Sequence, residues 1–258
     1  MAKPNFIELP SGEQIPILFE DRSVLAIDKP AGWMLAPSDW TRTRRNLQLA
    51  LETSIRYNDF WAKSRNLKYL RYIHRLDAET TGLILFAKSP GALSAFSELF
   101  EDHLIEKTYL AVVSGSPKRD QWACTMKLSQ ELDDNGRIRV DHAMGREAET
   151  EFIVLARQPD RALVEALPRT GRTHQIRVHA AATHHPIVGD QLYNPYSGAE
   201  EPLALRATML RYKDPFTRKP VRIFADRTAF ANTYGFPDVF AKKPAATPPP
   251  APADPNEG

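Results

Sequence analysis

A chain of 258 residues has room for one large domain or two small ones, and 42% hydrophobic with 26% charged residues is the make-up expected of an ordinary soluble protein. No apolar run approaches the ~20 residues of a membrane span, and the single cysteine, Cys124, excludes an internal disulfide and a thiolate metal cluster. The net charge of +2 is too small to announce a nucleic-acid binder on its own. Met1 to Asn5 lacks the apolar centre of a signal peptide, so the expected location is the cytoplasm.

Residues 1–14 read as a short N-terminal arm and residues 15–241 as one domain. Ile15–Phe19 and Val24–Ile27 flank the polar turn Glu20-Asp21-Arg22-Ser23 and predict a hairpin. Lys29-Pro30-Ala31-Gly32 is punctuated as a turn. Leu47, Leu51 and Ile55 recur at helical spacing, which predicts an amphipathic helix from Asn46 to about Asn58.

Leu83 to Ala87 is a short continuous apolar run between Gly82 and Lys88, the pattern of a buried strand. Leu93, Phe96 and Phe100 give the stripe of a helix over Ala92–Asp102, with Pro90 near its first turn. Thr108–Val113 is rich in strand formers and ends at Gly115-Ser116-Pro117. Asp133-Asp134-Asn135-Gly136 predicts a turn between two polar strands within Lys127–Val140. Glu151–Ala156 and Ala162–Leu167 pair around Gln158-Pro159-Asp160, and a further strand is expected at or beyond Val221–Phe224. Many strands, few helices and no regular βαβ alternation predict an α+β fold with a largely antiparallel sheet. Residues 242–258 carry six prolines and no aromatic, so this tail is expected to be disordered.

From Arg42 to Arg75 nine cations face two acids, Glu52 and Asp59, and Trp40, Tyr57, Phe60, Trp61, Tyr69 and Tyr72 lie among them. A solvated face explains such a run; a phosphate-binding approach with aromatics for base stacking explains it too. The run leads into His74-Arg75-Leu76-Asp77, just ahead of the Leu83 strand. That places a carboxylate, an arginine and a histidine on a loop held by a rigid element, where catalytic groups often sit. By composition alone Asp77 suits a nucleophile, a general base or a plain ion pair.

His74-Arg75-Leu76-Asp77 followed by Glu79-Thr80-Thr81-Gly82-Leu83 resembles the catalytic motif of the RluA-like pseudouridine synthases, which isomerise uridine in RNA. Arg169 to His179, His185 to Asp190, Lys107 to Val113 and Asp28 to Gly32 resemble further blocks of that family in the same order, over roughly residues 15–230. In the first block the family more often has Asn where this chain has Asp28. The resemblance implies residues 15–241 as a catalytic domain of the pseudouridine synthase fold, a mixed, mostly antiparallel sheet with flanking helices and a central cleft, and RNA, ribosomal or transfer, as partner. It implies Asp77 as the catalytic aspartate, Arg177 as its ion-pair partner and Tyr109 beneath the target uracil. Arg75 is implied to occupy the space left by the flipped nucleotide, a step required because the uridine is hard to reach in folded RNA. Arg172, His174, His74 and Lys29 are further candidate RNA or pocket contacts. Thr173 is expected to cap a helix starting at His174, which puts His174 and Arg177 on one face.

The isomerisation needs no redox change or external group, so no cofactor is expected, and neither is an obligate protein partner; the chain is expected to act as a monomer. His174 and His179 are five apart and no Glu follows His174, which does not fit a zinc helix; no phosphate loop ending in Lys-Ser/Thr is present. The competing reading is an RNA-binding protein or RNA chaperone that has lost catalysis.

Overall fold

The computed structural model describes residues 3–9, 11–35, 45–237 and 239–240. The expectations placed on Trp40, Arg42, Arg44 and the Pro-rich tail lie outside the described residues.

In chain order the structure has β1 (Phe6–Glu8), β2 (Gln14–Glu20), β3 (Val24–Lys29), α1 (Leu47–Arg56), α2 (Phe60–Lys63), β4 (Arg71–Tyr72), β5 (Thr81–Ala87) and α3 (Pro90–Glu101). There follow β6 (Glu106–Ser114), β7 (Gln121–Cys124), β8 (Thr150–Arg157), β9 (Arg161–Pro168), α4 (Gln175–Ala182), β10 (Leu205–Lys213), β11 (Pro220–Phe224) and α5 (Thr228–Thr233). The strands join in one sheet of order β1-β2-β3-β5-β10-β6-β9-β8-β7, with β4 on β5 and β11 on β10. Every pairing is antiparallel except β5 with β10. This is the mostly antiparallel α+β sheet that the strand-rich order predicts, and the one parallel pairing makes it the mixed sheet that the resemblance implies.

Local chemistry explains the elements that the sequence announced. Asp21 Oδ1 accepts the N–H groups of Ser23 and Val24, both at 2.7 Å, and turns the chain from β2 into β3. Asn46 caps α1 by accepting the Leu49 N–H at 3.1 Å, and Ser89 caps α3 in the same way through Ala92, with Pro90 at the first helical position. In β5, Leu83, Ile84, Leu85, Phe86 and Ala87 are all fully buried. Each of the larger ones contributes roughly 1.5–3 kcal/mol relative to exposure.

Other elements differ from expectation. The N-terminal segment carries β1, which pairs with β2 and buries Ile7, where an arm was expected. The two polar strands expected within Lys127–Val140 do not form as strands; the isolated bridge Leu128↔Val140 and the Ser129 N–H to Arg139 carbonyl bond at 2.9 Å join the flanks of the turn. The Asp133 turn does form, with its Oδ1 accepting from Asn135 and Arg137. Leu128, Ile138 and Val140 pack on Val178 of α4 and on Tyr193. Thr173 does not cap α4: His174 occupies the cap position in a left-handed conformation, with no side-chain capping bond.

Strand β10 has no clear signal in the sequence, yet it joins the two halves of the molecule. One core packs around β2, β3, β5, α1 and α3, and a second around β6, β8, β9 and α4. β10 lies between β5 and β6. At this seam Ala207 is opposite both Gly82 and Tyr109. A Cβ at Gly82 would overlap the Ala207 carbonyl, and its φ of 102° is one that favours glycine. A bulge between Ala207 and Met209 interrupts the β6–β10 ladder beside Tyr109, a device that re-aims side chains next to functional sites. Tyr109 touches both cores. Among the described residues no helix is long and apolar enough to cross a membrane.

Candidate active site

A cleft of about 460 Å³ opens over the seam, lined among others by Asp77, Tyr109, Arg177, His174, Lys107 and Arg172. That is within the usual size of a ligand pocket.

Asp77 is presented by a loop held on both sides. The Thr80 N–H bonds the Asp77 carbonyl at 3.2 Å, and the Ala78 carbonyl accepts from the Gly32 N–H at 2.9 Å and from Lys29 Nζ at 2.8 Å. Lys29 also donates to the Pro30 carbonyl at 2.9 Å. Lys29 is fully buried, so it builds the loop under Asp77 and is out of reach of an RNA phosphate, which corrects its expected role. Burial pushes its ammonium down to about 8, against the opposing charges of Glu79 and Asp77.

His74 is also committed to the protein. Its Nε2 accepts the Leu85 N–H at 3.1 Å and its ring stacks on Phe100 at 4.6 Å. Burial, followed by the charge of Lys107, pushes this imidazole down to about 3, so it stays neutral. It is a wall of the cleft, and the donor needed for a phosphate contact is not available at Nε2. Arg75 is exposed at the rim.

Arg177 lies on the first turn of α4 with its side chain 8% exposed. Its Nη1 is 3.2 Å from Asp77 Oδ2, the pairing that the resemblance implied across a hundred residues of sequence. The stronger contact was not foreseen. Nε and Nη2 donate to the two oxygens of Asp190 at 2.8 and 2.7 Å, and Asp190 is fully buried. Such a two-pronged fork fixes the guanidinium plane. Asp190 follows Gly189, whose φ is 74° and where a Cβ would overlap the Pro202 carbonyl. The signal in the sequence was the block His185 to Asp190, which ends on this acid.

His174 has φ 54° and ψ 13°, a conformation that costs a non-glycine residue roughly 1–2 kcal/mol. Gln175 holds the strained turn. Its Oε1 accepts from Thr170 Oγ1 at 2.7 Å and from the Arg172 N–H at 2.9 Å, and its Nε2 donates to the Glu149 carbonyl at 2.9 Å. The turn aims His174 Nε2 to within 3.9 Å of Asp77 Oδ2. Arg172 reaches the Glu147 carbonyl through Nε at 3.1 Å and borders the cleft.

Tyr109 is half-buried on β6. Burial, with the charge of Asp77 adding to it, pushes its phenol far above the ordinary range, so it remains protonated. Lys107, two residues earlier, donates to the Thr170 carbonyl at 2.8 Å, and burial followed by the charge of Arg172 pushes its ammonium down to about 8. Its cleft position was not anticipated. His179 is fully buried and bonded to Thr150 Oγ1 and the Met126 carbonyl, so it lies in the wall behind the site. Among the described residues no group of three His, Cys, Asp or Glu could hold a metal ion. Within the basic stretch, Arg65 is spent on structure, bonding Glu20, Trp61 and Pro4; Arg56, Lys63, Lys68 and Arg71 are exposed.

Sheet, cleft and motif blocks together are those of an RNA-modifying isomerase. Residues 23–182, more than half of the chain, match the RNA pseudouridylate synthase family, and the chain belongs to that family. It is 32% identical over 211 residues to the dual-specificity RNA pseudouridine synthase RluA of Vibrio cholerae, a match covering 80% of each chain. It is 33% identical over 222 residues to the ribosomal large subunit pseudouridine synthase C of Pasteurella multocida, covering 81% of this chain and 63% of that one. The fold resembles that of human RNA pseudouridylate synthase domain containing 4, with a TM-score of 0.66 at 22% identity over 81% of this chain and 87% of that chain.

Proposed function

We propose that this pseudouridine synthase isomerises specific uridines in structured ribosomal RNA, with Asp77 as the reacting carboxylate, Arg177 as its counter-ion and Tyr109 as the platform for the flipped uracil. The observation that carries this reading is the convergence of Asp77, from the loop before β5, and Arg177, from α4, at 3.2 Å in a cleft that Tyr109 also lines. The reaction breaks the C1′–N1 bond and forms C1′–C5; C5 loses a proton and N1 gains one. Attack on C6, attack on C1′ and abstraction of a ribose proton are all open to a carboxylate placed there. Arg177 sets a positive charge beside that carboxylate. Arg75 and Arg172 supply positive charge at the mouth, where the RNA backbone would pass. Relatives named for the large ribosomal subunit support that RNA as the substrate class. Mapping pseudouridine in total RNA from cells with and without the gene tests it. Loss at one or a few large-subunit positions is expected; loss confined to transfer RNA would move the substrate.

Tyr109→Phe keeps the stacking surface, worth ~1–3 kcal/mol per base, and loses the hydroxyl. This variant is expected to bind target RNA normally and turn over slowly, because the hydroxyl, or a water it holds, relays the C5 proton. Tyr109→Leu should lose capture of the base as well. Equal full-rate single turnover by both would make Tyr109 a core residue only.

Lys107 gives a pH dependence with a defined sign. Its ammonium is lost as pH rises through about 8, so RNA affinity should fall between pH 7 and 9. Lys107→Arg keeps its charge and should bind with a flat profile over that range. The same fall in the Arg variant would assign the effect to another group.

A further inference from the structure

Tyr193 lies between α4 and β10, three residues beyond Asp190, whose Oδ1 accepts the Tyr193 backbone N–H at 3.1 Å. Its hydroxyl oxygen accepts the Ile138 N–H at 2.7 Å. Burial pushes the phenol up to about 12, so the hydroxyl keeps its hydrogen and must donate it. His174 Nδ1, 2.8 Å away, is in place to accept it when that nitrogen carries no proton. A proton on Nδ1 would leave the phenol hydrogen without this acceptor. It would also turn the bare lone pair of Nε2 toward the Asp77 carboxylate, 3.9 Å away. The opposite arrangement, a bare Nδ1 and an Nε2–H, suits both ends of the ring. Burial works against the doubly protonated ring, with Arg177 and Arg75 adding to it and Asp77 and Asp190 opposing.

The geometry points to Tyr193 as a positioning residue that fixes His174 in the Nε2–H tautomer, so that His174 serves the reaction as a hydrogen-bond donor beside Asp77 and not as a base. The inference rests on Asp77 being the reacting carboxylate. Three features lead to the same orientation. The left-handed backbone of His174 aims the ring, the Tyr193 hydroxyl occupies one nitrogen, and the Tyr193 ring sits under Arg177, 5.2 Å from guanidinium carbon to ring centroid. Both groups facing Asp77 therefore lean on one tyrosine. The C5 proton released in the last step cannot go to His174, whose only basic nitrogen is already bonded; a water remains for it, reached directly or through the Tyr109 hydroxyl, which passes on its own proton as it takes the new one.

Long-range 15N–1H NMR of the full chain with 15N-labelled histidine reads the tautomer directly. The His174 pattern expected is that of Nε2–H, and Tyr193→Phe should move it toward a mixture. On a large-subunit RNA fragment carrying a mapped uridine, Tyr193→Phe should slow single turnover about tenfold, the scale of one hydrogen bond. His174→Asn tolerates the left-handed backbone and is too short to reach Asp77. If Tyr193 acts through His174, the double variant should be no slower than His174→Asn alone. A wild-type proton on Nδ1 would overturn the proposal, and so would additive losses in the double variant, which mark a merely structural tyrosine. Full activity of Asp77→Asn would remove the premise instead, and is told apart because the tautomer measurement needs no catalysis.

Discussion

Asp77→Asn is expected to abolish pseudouridine formation, by at least about 10³-fold in single turnover, within the range for losing a group that acts on the reacting atoms. The substitution keeps the shape of the side chain and removes the charge, so neither a covalent nor a base role survives. Stability should change little. Arg177 retains its two bonds to Asp190, and the loop remains held through Ala78 by Lys29 and Gly32. RNA binding should also remain, because the cations at the mouth are untouched. Pseudouridine formation at a tenth of the normal rate would remove Asp77 from the mechanism. An inactive variant that still binds RNA would separate the enzyme from the RNA-chaperone reading, because a chaperone would keep its function.

The second large effect is expected at Asp190, a residue that need not touch RNA. Asp190→Ala leaves the Arg177 guanidinium buried with Asp77 as its remaining carboxylate, and removes the acceptor for the Leu192 and Tyr193 N–H groups. Breaking a buried charge pair from one side costs about 3–5 kcal/mol. In a chain of this size that should lower Tm on the order of 10 °C. Activity should fall as well, since the arginine is then free to leave its plane beside Asp77. Asp190→Asn keeps one acceptor for each partner and should recover much of the stability while remaining slow. Thermal melting of both variants checks this; an unchanged Tm for Asp190→Ala would show that Arg177 does not depend on the fork.

The parts of the site that were legible in the sequence are those whose chemistry sits in short contiguous blocks. Asp77 stands in a polar tetrad ahead of an apolar run, and Arg177 in a helix-forming stretch, so resemblance placed both. Lys29 and His74 were legible as polar residues in such blocks, but their direction was not. Each donates or accepts inward, to Ala78 and Leu85 respectively, and only coordinates reveal that a charged or aromatic nitrogen is used by the backbone.

By itself the sequence determined the strand-rich α+β class, the hairpin of β2 and β3, the capped helices α1 and α3, and the buried β5. These follow from nearest-neighbour preferences and the periodicity of apolar residues. The tertiary structure decided what depends on distant partners. β10 carries Arg206 and Arg211 in a bulged strand, so its alternation is broken, and it becomes a strand because β5 and β6 offer it ladders on both sides. Residues 127–140 had a strong turn signal, but their apolar residues Leu128, Ile138 and Val140 packed on α4 and Tyr193, and only an isolated bridge formed between the flanks. Asp190 became the main partner of Arg177, and Tyr193 the partner of His174, through contacts of 13 and 19 residues' separation that no local pattern encodes. A buried charge needs a partner wherever the fold can supply one, and the choice among carboxylates is made by the packing of α4 on the sheet.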